Sequence, residues 1–186
     1  MTGVTNQHQR KSRLEIRRIQ VGDVHSFVDL WSRVYSEGAF LAKGPPPEDR
    51  VRSIIEKVVK EGIPNFVAVE KSQVIGAVEV FPGPMCGRKY DGAEKTGHLG
   101  IQVDSSHRRR GIGKHLMMTA ISDSARFGYR AIELSVFESN VAAIRLYESL
   151  GFLTSGHGLA VTLPAGISTR AQHMVFNIVQ NNAPST

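Results

Sequence analysis

The sequence predicts a single mixed α/β domain, and three observations carry that reading. Stretches with period-two alternation of apolar residues are interleaved with stretches of helical periodicity. Two β-type runs are joined by the short Lys71-Ser72 link of a hairpin. One strand runs straight into a glycine-bearing turn and a helix between Val103 and Lys114. At 186 residues the chain suits one domain with a sizeable core. Residues 13–180 are expected to form it, after a basic tail (1–12) expected to be disordered and before a short tail (181–186).

Leu14 to Ile19 alternates apolar and charged residues, as a half-buried strand does. Asp23 can cap a helix to about Ser36, with Val24, Phe27, Val28, Trp31, Val34 and Tyr35 on one side. Glu37 to Pro47 holds Gly38, Gly44 and three consecutive prolines, so it reads as a loop. A second helix is expected from Pro47 to about Glu61, ended by Gly62. Asn65 to Glu70 and Gln73 to Phe81 read as antiparallel strands, and Pro82 to Gly97 as a long excursion. Gly97 to Val103 is a strand whose interior Gly100 suggests a bulge or a close backbone approach. A helix from Gly111 to about Phe127 buries Ile112, Leu116, Met117, Ala120 and Ile121, and Gly128 caps it. Tyr129 to Phe137 is the next strand, and Asn140 caps a short helix that contains Tyr147 and stops at Gly151. Between Phe152 and Ala171, Gly156, Gly158, Pro164 and Gly166 predict a loop with a strand only at its start. Gln172 to Val179 reads as the last strand.

The stretch from Val103 to Lys114 has the features of a pyrophosphate cradle. Gly111 and Gly113 let the backbone approach a ligand, the following helix offers unpaired N–H donors, and Arg108, Arg109 and Arg110 add charge. The plainer reading is a solvated basic turn. Arg108, Gly111 and Gly113 fill Arg-x-x-Gly-x-Gly, which resembles the coenzyme A signature of the GNAT acyltransferase superfamily. Asn140 to Phe152 resembles its second signature: an Asn, then Ala, a Leu-Tyr pair and a closing Gly-Phe, matched by Asn140, Ala143, Leu146-Tyr147 and Gly151-Phe152. The resemblance covers roughly Asn65 to Phe152.

That resemblance implies a mostly antiparallel central sheet flanked by helices, with a splayed strand pair that binds acyl-CoA. It implies acetyl-CoA as acyl donor, held by Ile101, Gln102 and Val103 along the acyl-pantetheine arm, by Arg108, Arg109, Arg110, Gly111, Ile112, Gly113 and Lys114 at the pyrophosphate, and by Asn140, Ala143 and Tyr147. Ile101 and Val103 can equally be core residues, and Asn140 a helix cap. Tyr147 matches the proton-donor position, a phenol of pKa about 10 facing a thiolate whose conjugate acid lies near 8.5; it can also be a tyrosine that anchors the core. The base candidates are Glu79 and His98, against the readings of a solvated strand residue and a surface histidine. Some relatives that acetylate protein N-termini carry a Glu where this chain has Ser135, which counts against that substrate class.

The expected activity is direct transfer of an acetyl group to a primary amine of a small molecule or amino acid, without a metal or a covalent enzyme intermediate. A protein amino-group acetyltransferase and a non-catalytic acyl-CoA-binding module are the alternatives. A P-loop nucleotide hydrolase is excluded, because Gly113-Lys114 is followed by His115 and preceded at the required spacing by Arg108. Lys and Arg number 23 against 17 Asp and Glu, for a net charge of +6. The basic residues cluster near the N-terminus and at Arg108 to Arg110, without the aromatic interleaving of a nucleic-acid surface. No segment approaches the roughly 18 apolar residues of a membrane span, so a cytoplasmic location and no membrane partner are expected. The single cysteine, Cys86, excludes an internal disulfide and lacks an identified activating partner. A homodimer is left open.

Overall fold

The computed structural model describes residues 13–178, so both expected tails lie outside the described residues. Strand β1 (Glu15–Arg18) leads to helices α1 (Val24–Ser36) and α2 (Glu48–Glu61). The hairpin of β2 (Asn65–Glu70) and β3 (Gln73–Pro82) follows, then β4 (Thr96–Val103), α3 (Ile112–Phe127), β5 (Ala131–Phe137) and α4 (Val141–Ser149). The order closes with β6 (Leu153–Thr162) and β7 (Ser168–Asn177).

Local chemistry explains these boundaries. In the β2–β3 turn Lys71 (φ 51°) and Ser72 (φ 62°) are both left-handed, the geometry whose twist suits a two-residue hairpin. Acidic Glu48 and Asp49 stand in the first turn of α2 and Lys60 in its last, and Gly62 ends it at φ 66° with its N–H on Val58 O. On α1 the fully buried positions are Val24, Phe27, Leu30 and Val34. The core stripe therefore runs through Leu30, and Trp31 and Tyr35 sit at its margin.

The seven strands form one sheet in the order β1-β2-β3-β4-β5-β7-β6, antiparallel except for the β4–β5 pair. Its two faces are covered separately. Val78, Val80, Leu99, Ile132, Leu134 and Met174 pack with α3 residues Ile112, Leu116 and Met117 and with Tyr147 of α4. Val67, Val74 and Ala77 pack on the other face with Phe27, Leu30, Val51 and Ile55 of α1 and α2. Alternation along β3 and β4 places Glu79, His98, Gly100 and Gln102 on the α1–α2 side.

Two results bear on the site. The β4–β5 ladder runs only from Thr96↔Ala131 to Leu99↔Leu134, while β5 goes on pairing with β7 as far as Phe137. The strands therefore part after Leu99. The second result corrects the loop expected between Phe152 and Ala171, where β6 and β7 form a hairpin with ten residues in each strand. Gly156 and Gly158 do not end the strand, because the ladder absorbs them in register shifts between Thr154 and Gly156 and between His157 and Ala160. The turn is confined to the segment around Pro164 and Gly166, and its Ala165 N–H donates to Gly38 O at 3.1 Å, hooking the hairpin tip to the loop after α1.

Candidate active site

The turn between β4 and α3 is held rigid from its start. Asp104 accepts from the Ser106 N–H at 3.0 Å and from Arg33 Nε of α1 at 2.6 Å. Burial alone would raise this carboxyl, but the hydrogen bonds from Ser106 and Arg33 outweigh it and hold the group well below the usual carboxylate range. Further on, Arg109 (φ 60°) and Gly111 (φ 78°) both adopt the left-handed conformation. The first helical bond of α3 runs from the His115 N–H to Gly111 O at 3.0 Å. The N–H groups of Gly111, Ile112, Gly113 and Lys114 consequently have no backbone acceptor, and no side chain caps them. Four unpaired donors at the positive end of a helix form a site for an anion.

The two glycines serve this site differently. A Cβ on Gly111 would meet nothing within 4 Å, so glycine is needed there for its φ. A Cβ on Gly113 would meet only Leu146 Cδ2 at 3.5 Å and Val103 Cγ2 at 3.9 Å, ordinary contacts, so the protein itself does not require glycine at that position. The three arginines also divide. Arg108 donates from Nε to Val103 O at 3.0 Å, pairs with Glu37 at 2.7 Å and stands 4.7 Å above the centre of the Phe40 ring. Arg110 pairs with Glu70 at 2.7 Å. Arg109 is exposed and makes no ion pair among the described residues, so it is the arginine whose charge is not already matched by a carboxylate.

Main-chain direction in β4 follows from one bond. The Asp104 N–H donates to Ile75 O of β3 at 2.9 Å, and direction alternates along an antiparallel ladder, so even-numbered residues of β4 bond to β3. Ile101 and Val103 therefore turn their N–H and C=O groups toward the gap that β5 leaves, although the Val103 carbonyl is already taken by Arg108. Gln102 turns its main chain to β3 opposite Ala77, and its side chain is buried on the α1–α2 face with Oε1 unpaired. Asn140 does cap α4, accepting from the Ala143 N–H at 3.2 Å.

Glu79 stands opposite Gly100, one residue past the point where β4 and β5 part. Gly100 forms no bulge; a Cβ there would lie 2.9 Å from Glu79 Oε2, so the missing side chain makes room for this carboxyl. Glu79 Oε1 is buried without a partner, and burial pushes the group up to about 7 from an ordinary 4.5. It is not a solvated strand residue. His98, opposite Phe81, has Nε2 buried without a partner and Nδ1 3.8 Å from Glu133 Oε2. Burial lowers its pKa, against the pull of Glu133, so the neutral ring is favoured. Tyr147 is 6% exposed, with its ring 5.9 Å from that of Phe152, and burial raises its phenol further above 10. Tyr129 gives its hydroxyl proton to Val80 O at 3.2 Å, whereas the Tyr147 hydroxyl has no such partner among the described residues.

An open cleft of about 560 Å³ adjoins the strand separation, with His98, Glu133, Ser135 and His173 on its sheet side and Cys86, Arg88 and Tyr90 from the β3–β4 connection around it. Ser135 Oγ and His173 Nδ1 are 2.8 Å apart. The structure adds residues that the sequence does not single out: Arg33, Glu37, Phe40 and Glu70, which brace the basic turn, and Asn65, which faces Glu79 across the β2–β3 ladder. These pairs are 71 residues apart in the chain for Arg33–Asp104 and Glu37–Arg108, so no local pattern announces them.

The sheet opens between a parallel strand pair beside a helix N-terminus with unpaired donors, a geometry that suits an extended anionic ligand. Residues 25–152 match the family model described as Acetyltransferase (GNAT) family, and the chain belongs to that family. It is 31% identical over 93 residues to N-acetyltransferase family 8 member 3 of Rattus norvegicus, covering 49% of this chain and 39% of that protein. It is 27% identical to the L-methionine sulfoximine/L-methionine sulfone acetyltransferase of Salmonella typhimurium, over 66% of this chain and 70% of that protein. The chain thus spans between about four and seven tenths of the length of these relatives. The structure of yncA from Salmonella typhimurium, solved with its cofactor acetyl-CoA, superposes at a TM-score of 0.80 and 22% identity, covering 94% of this chain and 99% of that one. That likeness establishes the shared fold. Among the described residues no helix is long and apolar enough to cross a membrane.

Proposed function

We propose that the chain is an N-acetyltransferase that moves an acetyl group from acetyl-CoA directly to a primary amine. The observation that carries this reading is the placement of Glu79, a half-buried residue whose Oε1 is buried and whose carboxyl burial pushes up to about 7, over Gly100 beside the opening between β4 and β5. Acetyl-CoA supplies the activated acetyl thioester. The N–H groups of Gly111, Ile112, Gly113 and Lys114, with Arg109, hold its pyrophosphate, and the main chain of Ile101 and Val103 aligns the arm in the gap. Glu79 takes the proton from the acceptor ammonium, and His98 stands on the same face as the second candidate. Tyr147 supplies the proton to the departing sulfur, and its phenolate is neutralised by the proton that the attacking nitrogen sheds as the amide forms, so the protons balance. From a phenol above 10 to a thiol near 8.5 that transfer is uphill by more than about 1.5 pKa units, or ~2 kcal/mol, so it accompanies cleavage of the C–S bond as charge builds on sulfur.

The pKa of Glu79 bears on the acceptor. An α-amino group near 7.7 to 8.0 lies about one unit above this base, whereas a lysine-type amine near 10.4 lies more than three units above it, a further cost of ~3 kcal/mol. An α-amino acceptor, such as an amino acid derivative, is favoured. The experiment combines thermal unfolding with and without acetyl-CoA and an assay of thiol release over a panel of amines. Acetyl-CoA at about 100 times its dissociation constant is expected to stabilise the fold by about 2.7 kcal/mol, with thiol released faster for α-amines than for N-terminally blocked lysine peptides. No shift at millimolar acetyl-CoA would overturn the donor assignment; a shift without turnover of any amine would leave a binding module.

A further inference from the structure

Beneath α1 and α2 lies a second, more enclosed cavity of about 120 Å³, walled by Phe27, Trp31, Pro46, Ile54 and Phe81 among other apolar residues. Its floor is polar at two places, Asn65 and Glu79, which face each other across the β2–β3 ladder. Asn65 is 3% exposed, and its Nδ2 is buried without a hydrogen-bond partner, as is Glu79 Oε1. Leaving two such groups unpaired is costly, so a ligand that satisfies both is favoured out of proportion to its contact area. The cavity is too small for a cofactor, but an apolar cavity of about 150 Å³ is known to take up a benzene-sized molecule.

Resting on the reading of Glu79 as the base, we propose that this cavity is the acceptor's side-chain subsite. It takes a compact apolar group of leucine or methionine size, carried by a primary amine whose N–H points to Glu79 and whose adjacent carbonyl accepts from the Asn65 amide. The two floor groups are complementary to such a unit: a carboxylate accepts from the amine, and an amide N–H needs an acceptor that a bare alkylammonium lacks. Position agrees as well, since Glu79 lines the cavity and stands opposite Gly100 of β4, which borders the strand opening. An α-amino carbonyl compound with an apolar side chain, in free or peptide-terminal form, is therefore the acceptor class.

The test compares kcat/KM for thiol release with glycinamide, leucinamide and isoamylamine, in the native protein and in Ile54→Trp and Asn65→Ala variants. Leucinamide is expected to exceed glycinamide by about 10-fold or more, the discrimination that an apolar pocket provides. Ile54→Trp, which fills the cavity, brings the leucinamide-to-glycinamide ratio down to about one; Asn65→Ala lowers leucinamide turnover by a larger factor than isoamylamine turnover. Equal turnover of glycinamide and leucinamide by the native protein, or a preference that survives Ile54→Trp, overturns the subsite. Should Ile54→Trp fail to fold, Trp31→Ala serves in its place, and the enlarged cavity is expected to shift the preference to phenylalaninamide; an unshifted preference overturns the subsite. Thermal shifts with leucinamide decide the subsite without turnover. Protection of the native protein but not of Ile54→Trp supports it even where Glu79→Gln retains full activity and the base reading fails, and absence of protection in the native protein overturns it.

Discussion

At the scale of single residues, Glu79 carries the most chemistry and can be tested through stability as well as rate. Burial raises its folded pKa to about 7 from 4.5, so the native state holds a proton that the unfolded chain releases at lower pH. The stability contributed by that bound proton is complete below about pH 4.5 and is lost as the pH rises to and through about 7. Glu79→Gln keeps the neutral form at every pH. Denaturant unfolding is therefore expected to show the variant gaining on the native protein by about 2–3 kcal/mol between pH 5 and pH 8; a pH-independent difference would mean that the carboxyl is solvated. Tyr147→Phe tests the other end of the reaction. The ring and its packing on Phe152 remain, so acetyl-CoA should still raise the unfolding temperature while kcat falls by about 10²- to 10⁴-fold. An unchanged kcat would take the phenol out of the mechanism. Tyr147 was legible in the sequence because it stands in a local motif. The burial of Glu79 Oε1 was not, because strand alternation shows which side a residue takes and not that α1 and α2 cover that side.

At the scale of elements, the turn from β4 to α3 depends on backbone conformation more than on charge. Gly111 at φ 78° is needed by the protein, and Gly111→Val should destabilise the fold by about 1–2 kcal/mol as well as weaken acetyl-CoA binding. At Gly113 a methyl group meets only ordinary contacts, so Gly113→Ala is expected to leave the unfolding midpoint within the range of a surface substitution while reducing the shift given by acetyl-CoA. Equal shifts in Gly113→Ala and the native protein would place the pyrophosphate elsewhere. The turn itself was readable from the Gly-x-Gly pattern at a strand-to-helix junction. The commitment of Arg108 to Glu37 and of Arg110 to Glu70 was not, since their partners come from α1's far end and from β2. The β6–β7 hairpin is hidden in the sequence for a related reason: glycines in a paired strand can sit in bulges, and only the partner strand reveals that they do.

At the scale of the whole molecule, the sheet leaves a gap between β4 and β5 after Leu99 and puts Glu79 on the α1–α2 face beside it, and on the proposed reading the donor's arm and the amine meet there. The order of strands and helices was legible from periodicity, and the site's donor half from two motifs. The proposed acceptor half was not, because its lining comes from β2, β3, α1 and α2, which come together only in the fold. The central claim is that Glu79, placed beside that opening, is the base that prepares the amine. The most direct measurement is kcat for thiol release against pH, with saturating acetyl-CoA and leucinamide, for the native protein and Glu79→Gln. Ionisation of the amine affects both proteins alike, so their ratio isolates the carboxyl. The ratio is expected to rise with pH through an inflection near 7 and to reach about 10²–10⁴ on the alkaline side. A ratio near one at every pH would contradict the account.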